Sequence, residues 1–339
     1  MISITDFFYQ GKEIEALHRQ ISEHNMVHAV LITGEPGTGK RTLAMLLAAS
    51  LMCKSESDIP CNVCNDCIMS AAGEHPDITV IEKGNPLSAG VAKGRSTIPV
   101  DDIREMISLC SRYASHGDNR VVVIADAENM TVQAQNALLK ILEEPPQNTF
   151  FLLTSAHPDQ LLTTVRSRCR PVKLIPWESD YIRKHLEKEG VNTDIASKAA
   201  ELAAGSIGKA MKLASDNNYW SIRDDVMNAF FKNMKRSEIL SFSSGWKDRK
   251  ADVNTMLDIL DDDVHTLLRC RLDPELHQIP KEYSTSWKRF AESAPIERFV
   301  HLSDSILEAR KQLAYNVNVQ AVIEQLLLVF LGENDLWLQ

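Results

Sequence analysis

At 339 residues, with 44% hydrophobic and 24% charged side chains, the chain has material for two or three packed units and is not disordered or fibrous in composition. A net charge of −9 argues against a broad nucleic-acid-coating surface, which needs dense positive charge to displace counterions, but leaves room for a local basic patch. The N-terminus has no basic stretch leading into an apolar run, and the longest late apolar run, residues 326–331, is too short to cross a bilayer, so a cytoplasmic location is expected.

In chain order, the first predicted element is a strand over 29–33, Ala-Val-Leu-Ile-Thr, followed by a glycine-rich loop and a helix over 42–52. Residues 84–97, with glycines at 84, 90 and 94, read as a mobile loop. Helical spacing resumes at Val100, where Asp101 or Asp102 is expected to cap the new helix. The β-branched run Val121-Val122-Val123-Ile124 suits a buried parallel strand. A helix over 131–144 is stopped by Pro145-Pro146, and 150–154 is another buried strand. Alternating strands and helices make roughly the first 175 residues an α/β domain. Helical patterns broken by Gly190 and Gly205 follow over 177–215; beyond 217 only long amphipathic helices are predicted, among them 253–269 and 319–330.

The loop Gly34-Glu-Pro-Gly-Thr-Gly39-Lys40 matches G-x-x-x-x-G-K. Glycines let backbone amides turn inward around phosphates and the lysine reaches the outer oxygens, so Gly34, Gly37, Thr38, Gly39 and Lys40 are the candidate nucleotide-binding residues. The next position should carry the serine or threonine hydroxyl that holds magnesium, and here it is Arg41. Thr42 lies about 100° further round the helix and does not substitute. ATP binding is therefore expected to be weak, with magnesium lacking its usual hydroxyl.

Cys53, Cys61, Cys64 and Cys67 follow the pattern C-x7-C-x2-C-x2-C. Four soft thiolates with two tight gaps suit a closed tetrahedral zinc site, structural rather than catalytic. The competing readings are an iron–sulfur cluster, whose usual C-x2-C-x2-C-x3-C-P run is absent, and buried unligated thiols. Cys110, Cys169 and Cys270 are isolated and read as ordinary small residues.

A phosphate loop followed directly by a cysteine module resembles the bacterial clamp-loader ATPases, a branch of the AAA+ family. Asn136-Ala-Leu-Leu-Lys-Ile-Leu-Glu-Glu-Pro-Pro146 is similar to that family's N-A-L-L-K-x-L-E-E-P-P signature, and Ser167-Arg168-Cys169 to its S-R-C motif. The resemblance covers about the first 215 residues strongly. It implies an AAA+ parallel-sheet α/β domain over 1–175 with a zinc module at about 53–67, a helical lid domain over 176–216, and an all-α collar domain over 217–339.

Departures from the family's motor pattern imply which kind of member this is. The family's Asp-Glu pair, which orients magnesium and polarises the attacking water, falls here on Ala125 and Asp126. In Gly205-Ser-Ile-Gly-Lys-Ala210, the position where motors place a nucleotide-touching arginine is Gly208. With Arg41, these losses imply a stator-like member that hydrolyses no ATP but retains Arg168, which in this family reaches a neighbouring subunit's ATP. The alternative is an active gamma/tau-type motor. The implied partners are gamma/tau-type and delta-type subunits in a hetero-pentamer, with the sliding clamp and primed DNA reached through the complex, and no membrane.

Overall fold

A computed structural model describes residues 3–55, 59–85, 87, 95–111, 117–232, 234–247, 249–274, 279 and 283–335. The chain separates into two compact units, Met1–Ala214 and Ser215–Gln339.

The first unit is built on a parallel sheet of β1 (Ala29–Thr33), β2 (Ile78–Ile81), β3 (Arg120–Ile124), β4 (Thr149–Ser155) and β5 (Arg170–Lys173), in the order β2-β3-β4-β1-β5. In register, Val30 lies opposite Leu152 on one side and Arg170 on the other. Its helices are α1 (Lys12–Ser22), α2 (Lys40–Met52), α3 (Asn65–Ala72), α4 (Val100–Cys110), α5 (Val132–Glu143), the short α6 (Thr163–Arg166), α7 (Ser179–Lys188), α8 (Thr193–Leu202) and α9 (Ile207–Ser215).

Strand side chains alternate between faces, which divides the core. Ala29, Leu31, Val122, Ile124, Phe151 and Leu153 pack against Ile103 and Met106 of α4 and Leu138 and Ile141 of α5. The alternate residues Val30, Ile32, Val121, Val123 and Leu152, all fully buried, turn to the opposite face, where α2 packs on β1, β3 and β4. The β-branched run of β3 is thus covered on both sides, as its composition requires.

The strand expected over 29–33 has those limits, while the helix expected from 42 begins at Lys40 because Gly39, at φ +94°, turns the loop straight into it. Thr131 caps α5 by accepting the Ala134 N–H at 3.2 Å, and the helix ends just before Pro145-Pro146. The aspartate cap expected for α4 is not formed: Pro99 is the capping position. Asp101 and Asp102 lie inside the first turn, where a carboxylate favours the helix dipole, and the buried Asp102 instead accepts the Leu87 N–H at 3.1 Å. Of the stretch 84–97, read as a mobile loop, residues 86 and 88–94 lie outside the described residues.

The second unit is helical throughout its described residues. It comprises α10 (Asn217–Val226) running into a π turn at Met227–Phe231, α11 (Ile239–Gly245), α12 (Lys250–Leu272), α13 (Thr285–Ser293), α14 (Ile296–Ala314) and α15 (Val319–Asp335). Phe230, Phe231, Trp287, Phe290, Phe299 and Phe330 form its centre, each burial contributing roughly 1.5–3 kcal/mol. Trp287 satisfies its indole N–H on the Phe230 carbonyl at 2.9 Å. A buried Asp263 accepts from Arg223 at 3.2 and 3.3 Å and from the Tyr283 hydroxyl at 2.8 Å, so the charge taken into this core is paired. No described helix is long and apolar enough to cross a membrane.

Candidate functional site

The connection after β1 opens at the carboxyl edge of the sheet, where β1 is flanked by β4 and β5, the usual place for a ligand crevice in such folds. Gly37 holds φ +77°, a conformation that favours glycine. Glu35, Pro36 and Gly37 at the tip of the loop are exposed, whereas its inner end is buried. Its lysine, Lys40, is 6% exposed and donates to the carbonyls of Gly34 and Glu35, each at 2.9 Å. Burial lowers the Lys40 pKa, against the opposing pull of Asp126, Glu128 and Glu35. The Trp177 indole donates to the Thr38 carbonyl at 2.9 Å, and the Gly208 N–H to the Gly37 carbonyl at 3.0 Å. A β-carbon on Gly37 would lie 2.0 Å from Ser206 Oγ, and one on Gly39 3.0 Å from the Phe7 ring. The first turn of α9, Trp177 and Phe7 therefore close down on a loop whose lysine is turned inward.

The positions that depart from the motor pattern have defined surroundings. Arg41 is 58% exposed and forms an ion pair with Glu82, so a guanidinium stands where a hydroxyl would meet magnesium. Thr42 is exposed. Ala125 is buried at the end of β3 and its N–H bonds the Ile81 carbonyl at 2.8 Å. Asp126 leaves the strand at φ +50°, its own N–H donated to Thr154 Oγ1 at 3.0 Å. Glu128 accepts the Ala156 N–H at 2.9 Å. Gly208 offers only backbone to the loop. Of these positions only Asp126 and Glu128 carry carboxylates, and both act on the Lys40 ammonium.

The four cysteines come together. Their sulfurs all lie within 4.8 Å of one another, with Cys61 and Cys67 at 3.9 Å. Metal–thiolate bonds of about 2.3 Å in a tetrahedron place sulfurs about 3.8 Å apart, so the set fits such a metal with small movements. Backbone N–H groups already point at sulfur: Cys61 N to Cys53 Sγ at 3.4 Å, Cys64 N to Cys61 Sγ at 3.3 Å, and Cys67 N to Cys64 Sγ at 3.4 Å. Such donors favour thiolate. Those of Val63 and Cys64 pull the Cys61 thiol down to about 6, whereas burial pushes Cys67 up. Cys64 also caps α3. Next to Cys67, the buried Asp66 meets Lys54 at 3.0 Å and His75 at 3.5 Å; His75 Nδ1 accepts the Asp77 N–H at 3.1 Å, which turns Nε2 toward Asp66. This network ties the cysteine module to the segment entering β2.

Arg166, Arg168 and Arg170 do not form one solvated patch. Arg166 pairs with Asp159 at 3.1 Å, and Arg170 donates to Gln20 at 2.8 Å. Arg168 donates Nε to Glu143 Oε1 at 2.8 Å, Nη2 to the same oxygen, and Nη1 to the Thr164 carbonyl at 2.9 Å. Cys169 between them is buried, its thiol pushed up to about 12. Cys110 and Cys270 are buried as well.

A family model described as DNA polymerase III, delta subunit, matches residues 9–178, and one described as its C-terminal part matches 217–331. The chain belongs to the DNA polymerase III delta-prime family. A delta-prime subunit from Bacillus subtilis is 26% identical over 94% of this chain and 95% of its own length. One from Escherichia coli is 36% identical over 60% of this chain and 58% of its own length. A gamma/tau subunit from Mycobacterium tuberculosis is 33% identical over 52% of this chain and 30% of its own length.

Several contributors carried no signal in the sequence. Glu143 stood inside the signature motif with no role beyond it. Glu82 and Trp177 lie in no motif, and Ser206 stood in the Gly205–Ala210 motif with no role of its own; all three matter only through contacts made after folding.

Proposed function

We infer that the chain is the stator-like delta-prime subunit of a DNA polymerase III clamp loader. It would join gamma/tau-type and delta-type subunits in a hetero-pentamer that places the sliding clamp on primed DNA, and hydrolyse no ATP itself. The observation that carries this reading is the contrast between two motifs. The phosphate-loop lysine is buried on its own loop carbonyls, yet Arg168 stands partly exposed with a defined geometry. Phosphoryl transfer needs a clamped metal and a placed water, and Arg41, Ala125 and Gly208 supply neither. Arg168 would instead neutralise charge building on a neighbour's transferred phosphoryl group, a role suited to a planar donor that never loses its charge. In the same reading Cys53, Cys61, Cys64 and Cys67 hold a structural zinc, which cross-links the module and takes no part in chemistry.

The test is a reconstituted loader carrying Arg168→Ala. The served site should lose on the order of 10³–10⁵ in hydrolysis rate, with assembly intact, and Arg168→Lys should rescue poorly. Arg170→Ala, which removes only the Gln20 contact, should matter less. Wild-type hydrolysis and clamp loading by the Arg168→Ala complex would rule out the trans-acting role. ATP turnover by the isolated chain that Lys40→Ala abolishes would replace the stator with a motor.

A further inference from the structure

We propose that Glu143 is the positioning residue for Arg168, holding its guanidinium ready to project toward a neighbouring subunit's phosphate; this rests on the reading of Arg168 given above. Glu143 is the last residue of α5, immediately before the Glu144 cap. A carboxylate there faces the negative end of the helix dipole, so the placement is locally unfavourable unless a cation answers it. Arg168 is that cation. The pair is solvent-facing, with side chains 50% and 31% exposed, and such a pair adds little to folding stability. A local rule is broken with little stability gained, which is the mark of a site kept for another reason.

The geometry indicates the reason. One carboxylate oxygen takes both Nε and Nη2, and the Thr164 carbonyl takes Nη1, with Ser167 Oγ adding a longer contact at 3.4 Å. Three of the five guanidinium hydrogens are thereby anchored on the protein side. Ser167 Oγ stands beside Nη1 at the longer distance, and the second Nη2 hydrogen has no acceptor among the described residues, which leaves that outer edge of the guanidinium for a phosphate oxygen. A long flexible side chain is converted into an aimed one.

The base of this arrangement is itself fixed. Gln135 of α5, 2% exposed, accepts the Leu162 N–H through Oε1 at 2.7 Å. Through Nε2 it donates to the Met130 and Gln160 carbonyls at 3.3 and 3.5 Å. It locks α5, which carries Glu143, to the segment leading into α6, which leads to Arg168. The two partners are therefore held on one rigid base.

The experiment is single-turnover ATP hydrolysis by the reconstituted loader, in which the served site appears as a separate phase. Glu143→Ala should slow that phase on the order of ten- to a hundredfold, the effect of misplacing a catalytic group, and less than Arg168→Ala does. In an Arg168→Ala background Glu143→Ala should add no further loss, because the two act as one unit. Glu143→Gln, which keeps an oxygen acceptor in place, should recover most of the rate, whereas Glu143→Asp, one methylene short, should not. If Arg168→Ala slows the phase and Glu143→Ala does not, the positioning role is wrong and the finger stands. If Arg168→Ala is itself without effect, the underlying reading is wrong. A faster phase in Glu143→Ala, equal losses in both backgrounds, or Glu143→Asp outperforming Glu143→Gln would each overturn the proposal. The last two variants decide the matter if the alanine variant does not assemble.

Discussion

Gly37→Ala distinguishes a phosphate loop packed as a clasp from one held open as a cradle. In an open cradle the added methyl group meets only the cost of a left-handed backbone, about 1–2 kcal/mol at φ +77°. Here the new β-carbon would also lie 2.0 Å from Ser206 Oγ and 3.2 Å from Ser206 Cβ, so the hydroxyl must swing away from the Lys209 N–H it accepts or the segment entering α9 must shift. Overpacking of this kind costs about 1–3 kcal/mol, giving a total of about 2–5 kcal/mol. For a unit of about two hundred residues that corresponds to a drop of roughly 4–20 °C in its melting transition. The assay is thermal unfolding of the isolated chain by circular dichroism, with the transitions of the two units separated. Adding Ser206→Ala should return the steric part while leaving the backbone part. Ser206→Ala alone should cost a little, since its hydroxyl accepts the Lys209 N–H at 3.2 Å. A Gly37→Ala drop no larger than the backbone part, about 2–8 °C, and left unchanged by Ser206→Ala would mean that residues 206–208 do not rest on the loop, and the clasp would be wrong.

Metal analysis of the purified chain should give one zinc per molecule, and Cys64→Ser should lower it and destabilise the first unit; a native, equally stable protein without metal would contradict the site. Buried His185 has no partner for Nε2 among the described residues, and burial holds its pKa below the ordinary value. Because the folded state then resists protonation, its contribution to stability is present above about pH 6.5 and is lost as pH falls through the lowered folded-state value. Wild type should therefore lose more stability than His185→Phe between about pH 7.5 and about pH 5, and parallel losses would exclude His185 as the cause.

Sequence alone determined what depends on neighbours along the chain. The β-branched run of β3, the stop at Pro145-Pro146, the turn at Gly39 and the cysteine spacing all act within a few residues, so their outcome was legible before folding. The replacement of a hydroxyl by Arg41 was equally visible. The tertiary structure decided which groups answer one another across the chain. Arg168 meets Glu143 25 residues away, Trp177 reaches Thr38 139 residues away, and Arg170 finds Gln20 150 residues away. Periodicity reports which face of an element is buried but not what lies against it. Hence the glycine motif marked the loop, whereas only the folded chain shows Lys40 on the Gly34 and Glu35 carbonyls and Ser206 against Gly37. Even the start of α4 followed this division: two aspartates near a helix start suggested a cap, but the backbone turns at Pro99, and Asp102 was drawn instead to the Leu87 amide of a distant loop.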